Sequence, residues 1–461
     1  MISSIIFFLY MCRIKMLSLP KETVEYIIQF LLYNDELYSY VYYGNPEDAP
    51  DDKCVIIVPS FQSRNIDDIT SSALPSDKLE FLDNYEKTPI LFGSSDVVFK
   101  KNKVILYADI IYSSFFLLSR KEEIIKRDKR DQYGRFLLKY SFLKNNDLIY
   151  RPIVDEYSKY LTYLVYKFIG KEKLFRPNFS KIWLTHDVDS PFYFSSFFNF
   201  GIYLAKNIVK FILPNYQSNF RALKSILGIE KDEYYTFPYI IDCDSKFIGK
   251  LSELDVEVIY FLITAKASVR NGYCDIRSKK FTQLLALLKS SKASFGIHLS
   301  HDSGINPQNI TKELYRYPFD KKNKLYSRHH YLRWREPEQF LEMEKNGITD
   351  DFTLSFADSI GFRVGTSRSY CFIDPLTGNL SNLKIHPLEI MECSLGNPNY
   401  MGLDYKNALD KSITVINNVF KYNGELNILF HNSSFSDKFF NYKKLYTDLF
   451  NYISNLYLEK I

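Results

Sequence analysis

Residues 182–189 read IWLTHDVD, a short apolar strand that runs straight into one histidine and two aspartates. Four apolar or β-branched residues in a row fit a buried strand, and the polar residues after it fit the loop beyond. The same pattern returns as ASFGIHLSH at 293–301 and LNILFHNSS at 426–434. Further apolar runs lie at 256–264 (VEVIYFLIT) and 389–393 (EIMEC), with helical stretches such as 282–288 and 336–345 between them. Strand and helix in alternation predict a parallel α/β arrangement, either barrel or open sheet. Chemistry in such folds sits on loops at the carboxyl ends of strands.

Upstream, the chain predicts a smaller α/β module. KETVEYIIQFLLY at 21–33 has helical spacing, CVIIVPS at 54–60 and KVILY at 103–107 read as strands, and DIIYSSFFLL at 109–118 reads as a helix with an aspartate cap. The charged run RKEEIIKRDKRD at 120–131 is most simply a solvated helix end and loop, and an amphipathic helix follows at 155–169. The polar segment GKEKLFRPNFSK marks a boundary near 175, which gives an N-terminal module of unknown role over 1–175 and a catalytic domain over 176–461.

Composition sets outer limits. A chain of 461 residues with 46% hydrophobic and 25% charged content is neither disordered, collagenous nor a small disulfide scaffold. A net charge of +5 from 59 basic and 54 acidic residues forms no dominant basic stripe, so nucleic acid is not an expected partner. Six cysteines without a C-x-x-C pair predict isolated thiols in a reduced, cytoplasmic compartment. The apolar stretch 2–12 is about half the ~20 residues of a membrane span and lacks the flanks of a signal peptide, so it reads as a buried or spurious start, with Met16 as an alternative initiator. Residues 192–213, aromatic and helix-compatible, fit packing against the N-terminal module or an interfacial helix touching a membrane surface. No transmembrane segment is expected.

All seven histidines lie at or beyond position 186, which assigns acid–base and metal chemistry to the second half. Asp187 and Asp189, two apart, share one side of a persisting strand, where one can bind a metal and the other act as a base; capping the following turn is an equally simple use of them. His298 and His301 can converge on one cation if their segment is helical, or lie in a surface turn. SRHHYLRW at 327–334 gathers two imidazoles, two guanidiniums and two aromatics, a basic loop or a pocket wall. GFRVGT at 361–366 resembles a glycine loop only loosely.

In combination, the order strand–DxD, strand–HxxH, Arg/His motif and strand–His resembles the polysaccharide deacetylases, the NodB homology domain of carbohydrate esterase family 4. The resemblance spans about 178–440 and points to a divergent branch bearing THDVD, here at 185–189. GIHLSH is similar to the second motif, SRHHYLRW to the third and ILFHNSS to the last. It implies an α/β fold in which a NodB-like distorted (β/α) barrel follows the smaller N-terminal α/β domain. It also implies one divalent cation, expected to be Zn²⁺, and an N-acetylated glycan or glycan precursor as substrate.

Residue by residue, Asp187 matches the catalytic base, Asp189 the metal-binding aspartate and His298 the first metal histidine. Arg328 matches the arginine that orients the base, and His431 the general acid. The common second motif is H-x-x-x-H, whereas position 302 is aspartate. Members of the divergent branch carry a fixed histidine in the third motif, so His330 is the expected third ligand, with His301 as the alternative. Tyr331 and Arg363 are the expected substrate contacts. Hydrolysis of a non-sugar C–N bond in a cyclic ureide or imide, and a carbohydrate-binding relative without activity, are the other readings this pattern leaves open.

Overall fold

Capping residues explain where several helices begin. Asp109, Ser278, Asp404 and Asn441 each accept a hydrogen bond from the backbone N–H three residues on. They start the helices Ile110–Leu118, Lys279–Ser290, Tyr405–Lys421 and Tyr442–Leu458. The computed structural model describes residues 19–33, 35–60, 88–171, 176–193, 231–265, 276–319, 324–334, 337–436 and 440–459, together with 224, 225, 227, 229, 270 and 271. The apolar stretch 2–12, Met16 and residues 194–213 of the aromatic segment lie outside the described residues. No helix among those described is long and apolar enough to cross a membrane.

In chain order the first strands are β1 (Val41–Tyr43), β2 (Val55–Ile57), β3 (Gly93–Phe99), β4 (Val104–Ala108), β5 (Lys181–Val188) and β6 (Val256–Ile263). They are followed by β7 (Ser294–Leu299), β8 (Tyr326–His329), β9 (Asp350–Asp351), β10 (Tyr370–Ile373), β11 (Leu380–Ile385), β12 (Ile390–Met391) and β13 (Glu425–Leu429). The chain forms two compact units. One comprises Met1–Gln132, Phe136–Pro177 and Phe362–Ile385; the other comprises Tyr133–Arg135, Asn178–Gly361 and His386–Ile461.

The first unit has a four-stranded sheet in the order β1-β2-β4-β3, with only β3 antiparallel. Helices Lys21–Leu32, Ile110–Leu118 and Ile153–Phe168 supply much of its core, including Ile27, Leu31, Phe116, Tyr157 and Leu161. The charged run at 120–131 is solvated only in part: Asp128 and Lys129 are exposed, but its start is not. Lys121–Ile125 is a short helix whose Glu122 and Glu123 are buried. Glu122 pairs with Lys126 at 2.8 Å, and Glu123 receives Arg363 through Nε at 2.9 Å and Nη2 at 2.7 Å.

That pair also corrects two expectations. Residues 362–385, assigned from sequence to the second domain, cluster with the first unit. Arg363 on Glu123, Arg368 on Asp155 at 2.9 Å and Thr23 on the Gly378 carbonyl at 2.6 Å tie them there. The Arg363 guanidinium, expected from sequence at a substrate, is paired here with Glu123 inside the first unit.

In the second unit the strands run β9-β8-β7-β6-β5-β13-β12, every neighbouring pair parallel. The sheet curls. β5 and β8 are three strands apart, ~14 Å in a flat sheet. Yet the rings of Trp183 on β5 and Tyr326 on β8 have centroids 6.3 Å apart. Trp183, Ile259, Phe261, Tyr326 and Phe352 form a buried cluster on the concave side. Gly296 makes room for it, since a Cβ there would lie 2.4 Å from the Phe261 ring. This unit is therefore a curled, parallel α/β structure, filled with aromatics below and open to chemistry at its carboxyl strand ends.

Candidate metal centre

Strand alternation carries Thr185 and Asp187 of β5 to one side, with Asp189 continuing that side just past the strand. His298 comes from β7, Arg328 from β8 with His330 two residues on, and His431 lies two residues past β13. Six strand-end side chains, Asp187, Asp189, His298, Arg328, His330 and His431, thereby meet in one place.

Asp189, His298 and His330 each offer a ligand atom within 4.8 Å of the others. His298 Nε2 lies 3.0 Å from Asp189 Oδ1, and His330 Nε2 lies 3.3 Å from Asp189 Oδ2. Despite that proximity, His298 Nε2 and Asp189 Oδ1 are buried atoms without a properly aligned hydrogen bond. A cation between them would satisfy both, so the donor set fits a metal. His298 Nδ1 faces the Arg328 carbonyl at 3.0 Å; donating its proton there leaves the Nε2 lone pair aimed inward. Burial alone would raise the Asp189 pKa, but His330 and His298 beside it hold the carboxyl well below its ordinary value. Burial lowers the His298 pKa, and Asp187 and Asp189 reverse this to a net rise.

Asp187 stands next to this group. Its Oδ1 accepts from Arg328 Nη1 at 2.9 Å, and the fully buried guanidinium also donates to Thr185 Oγ1 and the Phe352 carbonyl, both at 2.9 Å. The other oxygen, Oδ2, lies 3.7 Å from His298 Nε2 and 4.0 Å from His431 Nε2. Arg328 thus fixes one face of the carboxylate and leaves the second turned toward the histidines.

His431 is held from behind by Glu392. Glu392 Oε1 accepts from His431 Nδ1 at 2.7 Å, from the His431 backbone N–H at 3.0 Å and from Ser434 Oγ at 2.5 Å. That leaves His431 Nε2 facing the aspartates, 3.9 Å from Asp189 Oδ2. Burial opposes a charged imidazole, but Glu392 and Cys393 raise the His431 pKa well above 6.5. Burial likewise opposes ionising Glu392, yet His431 brings its pKa down to about 2. Each group thus favours the charged form of the other. Cys393 completes a second close group with Glu392 and His431, but His431 Nδ1 is already taken by the carboxylate.

Glu392 was not singled out from sequence. It follows the strand IM at 390–391, so the strand-end rule that selected the histidines applied to it equally.

The remaining histidines lie elsewhere. His301 sits in a turn rather than a helix, outside the three-ligand group, with Nε2 3.4 Å from Arg270 Nη1. Burial, Arg333 and Arg270 lower its pKa. His329 alternates to the opposite side of β8 from Arg328 and is fully buried, its pKa pushed down to about 3 by burial and the nearby His298 and Arg333. His186 bonds the Phe430 carbonyl at 3.0 Å and Asp244 at 3.2 Å beneath the site. His386 pairs with Asp350 and Glu425. Tyr331 is half-buried, its ring 4.3 Å from that of His330, on a backbone with φ of +64°.

Residues 16–169 match a family of unknown function, DUF7033. No curated protein matches the chain. A solved structure from Mycobacterium smegmatis, assigned as a polysaccharide deacetylase, is 11% identical with a TM-score of 0.35, covering 62% of this chain and 86% of that one. A likeness that slight carries no argument. The first third of the chain therefore matches a family without an assigned role, and the chemistry of the second unit rests on its own residues.

Proposed function

We propose that the second unit is a NodB-like distorted (β/α) barrel acting as a metal-dependent hydrolase, which removes N-acetyl groups from an amino-sugar glycan or glycan precursor. The observation that carries this reading is the convergence of Asp189, His298 and His330 within 4.8 Å, with Asp187 and His431 facing them. Three protein ligands leave coordination positions for water and substrate, the pattern of catalytic rather than structural metal sites. When bound, a divalent cation such as Zn²⁺ polarises the acyl carbonyl and makes water more acidic.

The chain's own groups do the rest. Asp187 accepts the proton of the attacking water through the carboxylate face that Arg328 leaves free. His431, kept protonated by Glu392, delivers a proton from Nε2 to the leaving amine nitrogen, which departs poorly as an anion. Acetate and a free amino sugar result. In this reading Tyr331 touches the sugar, which its ring beside that of His330 supports.

The test measures metal content of the purified chain and acetate released from N-acetylhexosamine oligomers, before and after chelation and zinc return. Zinc-dependent acetate release is the expected result. Hydrolysis of a cyclic ureide without acetate release, or full activity after chelation, overturns the reading.

A further inference from the structure

Residues 133–135 belong to the second unit, although the residues flanking them in sequence belong to the first. Tyr133 lays its ring on that of Tyr331, centroids 4.8 Å apart and planes 12° from parallel. Since Tyr331 adjoins His330, this stack begins at a proposed metal ligand and runs outward. The guanidiniums of Arg135 and Arg270 lie 4.8 Å and 5.7 Å from the centroid of Tyr133.

The seat of this segment is shaped for it. Gly134 has φ of +80°, a conformation that favours glycine, and a Cβ there would lie 2.6 Å from Arg333 Nε, so any other residue would strain the backbone and displace the Arg333 side chain. Arg135 is buried, with Nη1 donating to the Tyr400 hydroxyl at 3.1 Å, while Arg270 is exposed. Three guanidiniums thus gather beside two stacked tyrosines at the edge of the metal centre.

We infer that residues 133–135 complete a substrate subsite for an anionic group, carboxylate or phosphate, carried by the N-acylated sugar. Tyr133 and Tyr331 form its aromatic wall, and the exposed Arg270 meets the charge, with the buried Arg135 adding positive charge beside Tyr133. This rests on the deacetylase reading and adds the substrate's charge class to it. Guanidiniums stacked on rings stay charged, are weakly hydrated and bind oxyanions through paired N–H groups. A neutral sugar would use the rings but not the gathered positive charge.

Calorimetric binding of N-acetylglucosamine, N-acetylmuramic acid and N-acetylglucosamine 1-phosphate to the full zinc-loaded chain tests this. At least one anionic probe should bind about tenfold more tightly than the neutral sugar, an advantage that shrinks as salt rises. Whether the carboxylate or the phosphate gains identifies the anion. Arg270→Gln should bring the ratio of the dissociation constants toward one. Tyr133→Ala should weaken every probe, and Tyr133→Phe should restore binding. Equal affinity for neutral and anionic probes, an unchanged ratio in Arg270→Gln, or no binding of either anionic probe at millimolar concentration overturns the subsite. Repeating the comparison in zinc-loaded Asp187→Asn, which is expected to keep its metal without hydrolysing the probes, reads binding without turnover, so a failure of the parent to release acetate from any sugar would count against the hydrolase alone.

Discussion

His431 Nδ1 lies 2.7 Å from the buried carboxylate of Glu392, which turns Nε2 toward Asp187 and Asp189. The bond does two things at once: it fixes the ring and holds its proton. In Glu392→Gln the orientation can persist while the charge is lost. The His431 pKa then falls, and the loss of activity on the alkaline side moves to lower pH. At slightly alkaline pH, turnover should drop by ~10²-fold, the lower end of what a general acid contributes. A pH profile of kcat/KM checks this; an unmoved alkaline limb would remove Glu392 from the role.

Asp187→Asn should abolish hydrolysis and leave zinc content near that of the parent. The amide keeps a contact to Arg328 but cannot accept a proton from water. Because Arg328 is fully buried, the variant should also lose ~3–5 kcal/mol of stability, the usual consequence of stranding a buried charge. Elemental analysis, acetate release and thermal unfolding separate the three effects. Lost zinc with intact folding would exchange the roles of the two aspartates.

Among the histidines, His330→Ala should weaken zinc binding most, His301→Ala much less and His329→Ala least. His330 shares Asp189 with His298, whereas His301 lies outside that group and His329 is buried on the other side of its strand. Titration of the apo variants with Zn²⁺ decides the order, and a larger loss in His301→Ala would return the site to the two-histidine turn.

Arg363→Met should lower stability by ~3–5 kcal/mol by leaving Glu123 buried without its partner. At a temperature where the variant remains folded, its KM should match the parent's. A raised KM with unchanged unfolding would restore Arg363 to the substrate.

His386 gives the second unit a pH-dependent contribution. Burial lowers its pKa, but Asp350 and Glu425 on its two nitrogens raise it overall above 6.5. The imidazolium therefore adds stability in full below its unfolded value and loses it as pH rises through the raised folded value. Unfolding free energy of the parent should decline across that window, and His386→Asn should flatten the decline. Parallel pH curves for the two proteins would assign it to other groups.

The sequence by itself determined the alternation of buried strands and helices. An apolar strand ending in a histidine or acid reads the same way wherever the chain later folds, because burial and loop chemistry are local. IWLTHDVD, ASFGIHLSH and LNILFHNSS were legible for that reason, as was the aspartate cap of Ile110–Leu118. The short strands at 326–329 and 350–351 were not, since YSRH and DD carry no apolar run of their own and become strands only by pairing with β7 and β8. Tertiary structure alone decided which charges are buried. Glu123 and Arg363 are 240 positions apart, the one read from sequence as part of a solvated run and the other as a substrate contact, yet each makes the other's burial tolerable. It also decided that His330 rather than His301 faces Asp189, and that Tyr133 meets Tyr331. Those depend on the curl of the sheet and the path of the chain between units, which long-range packing sets and local spacing does not.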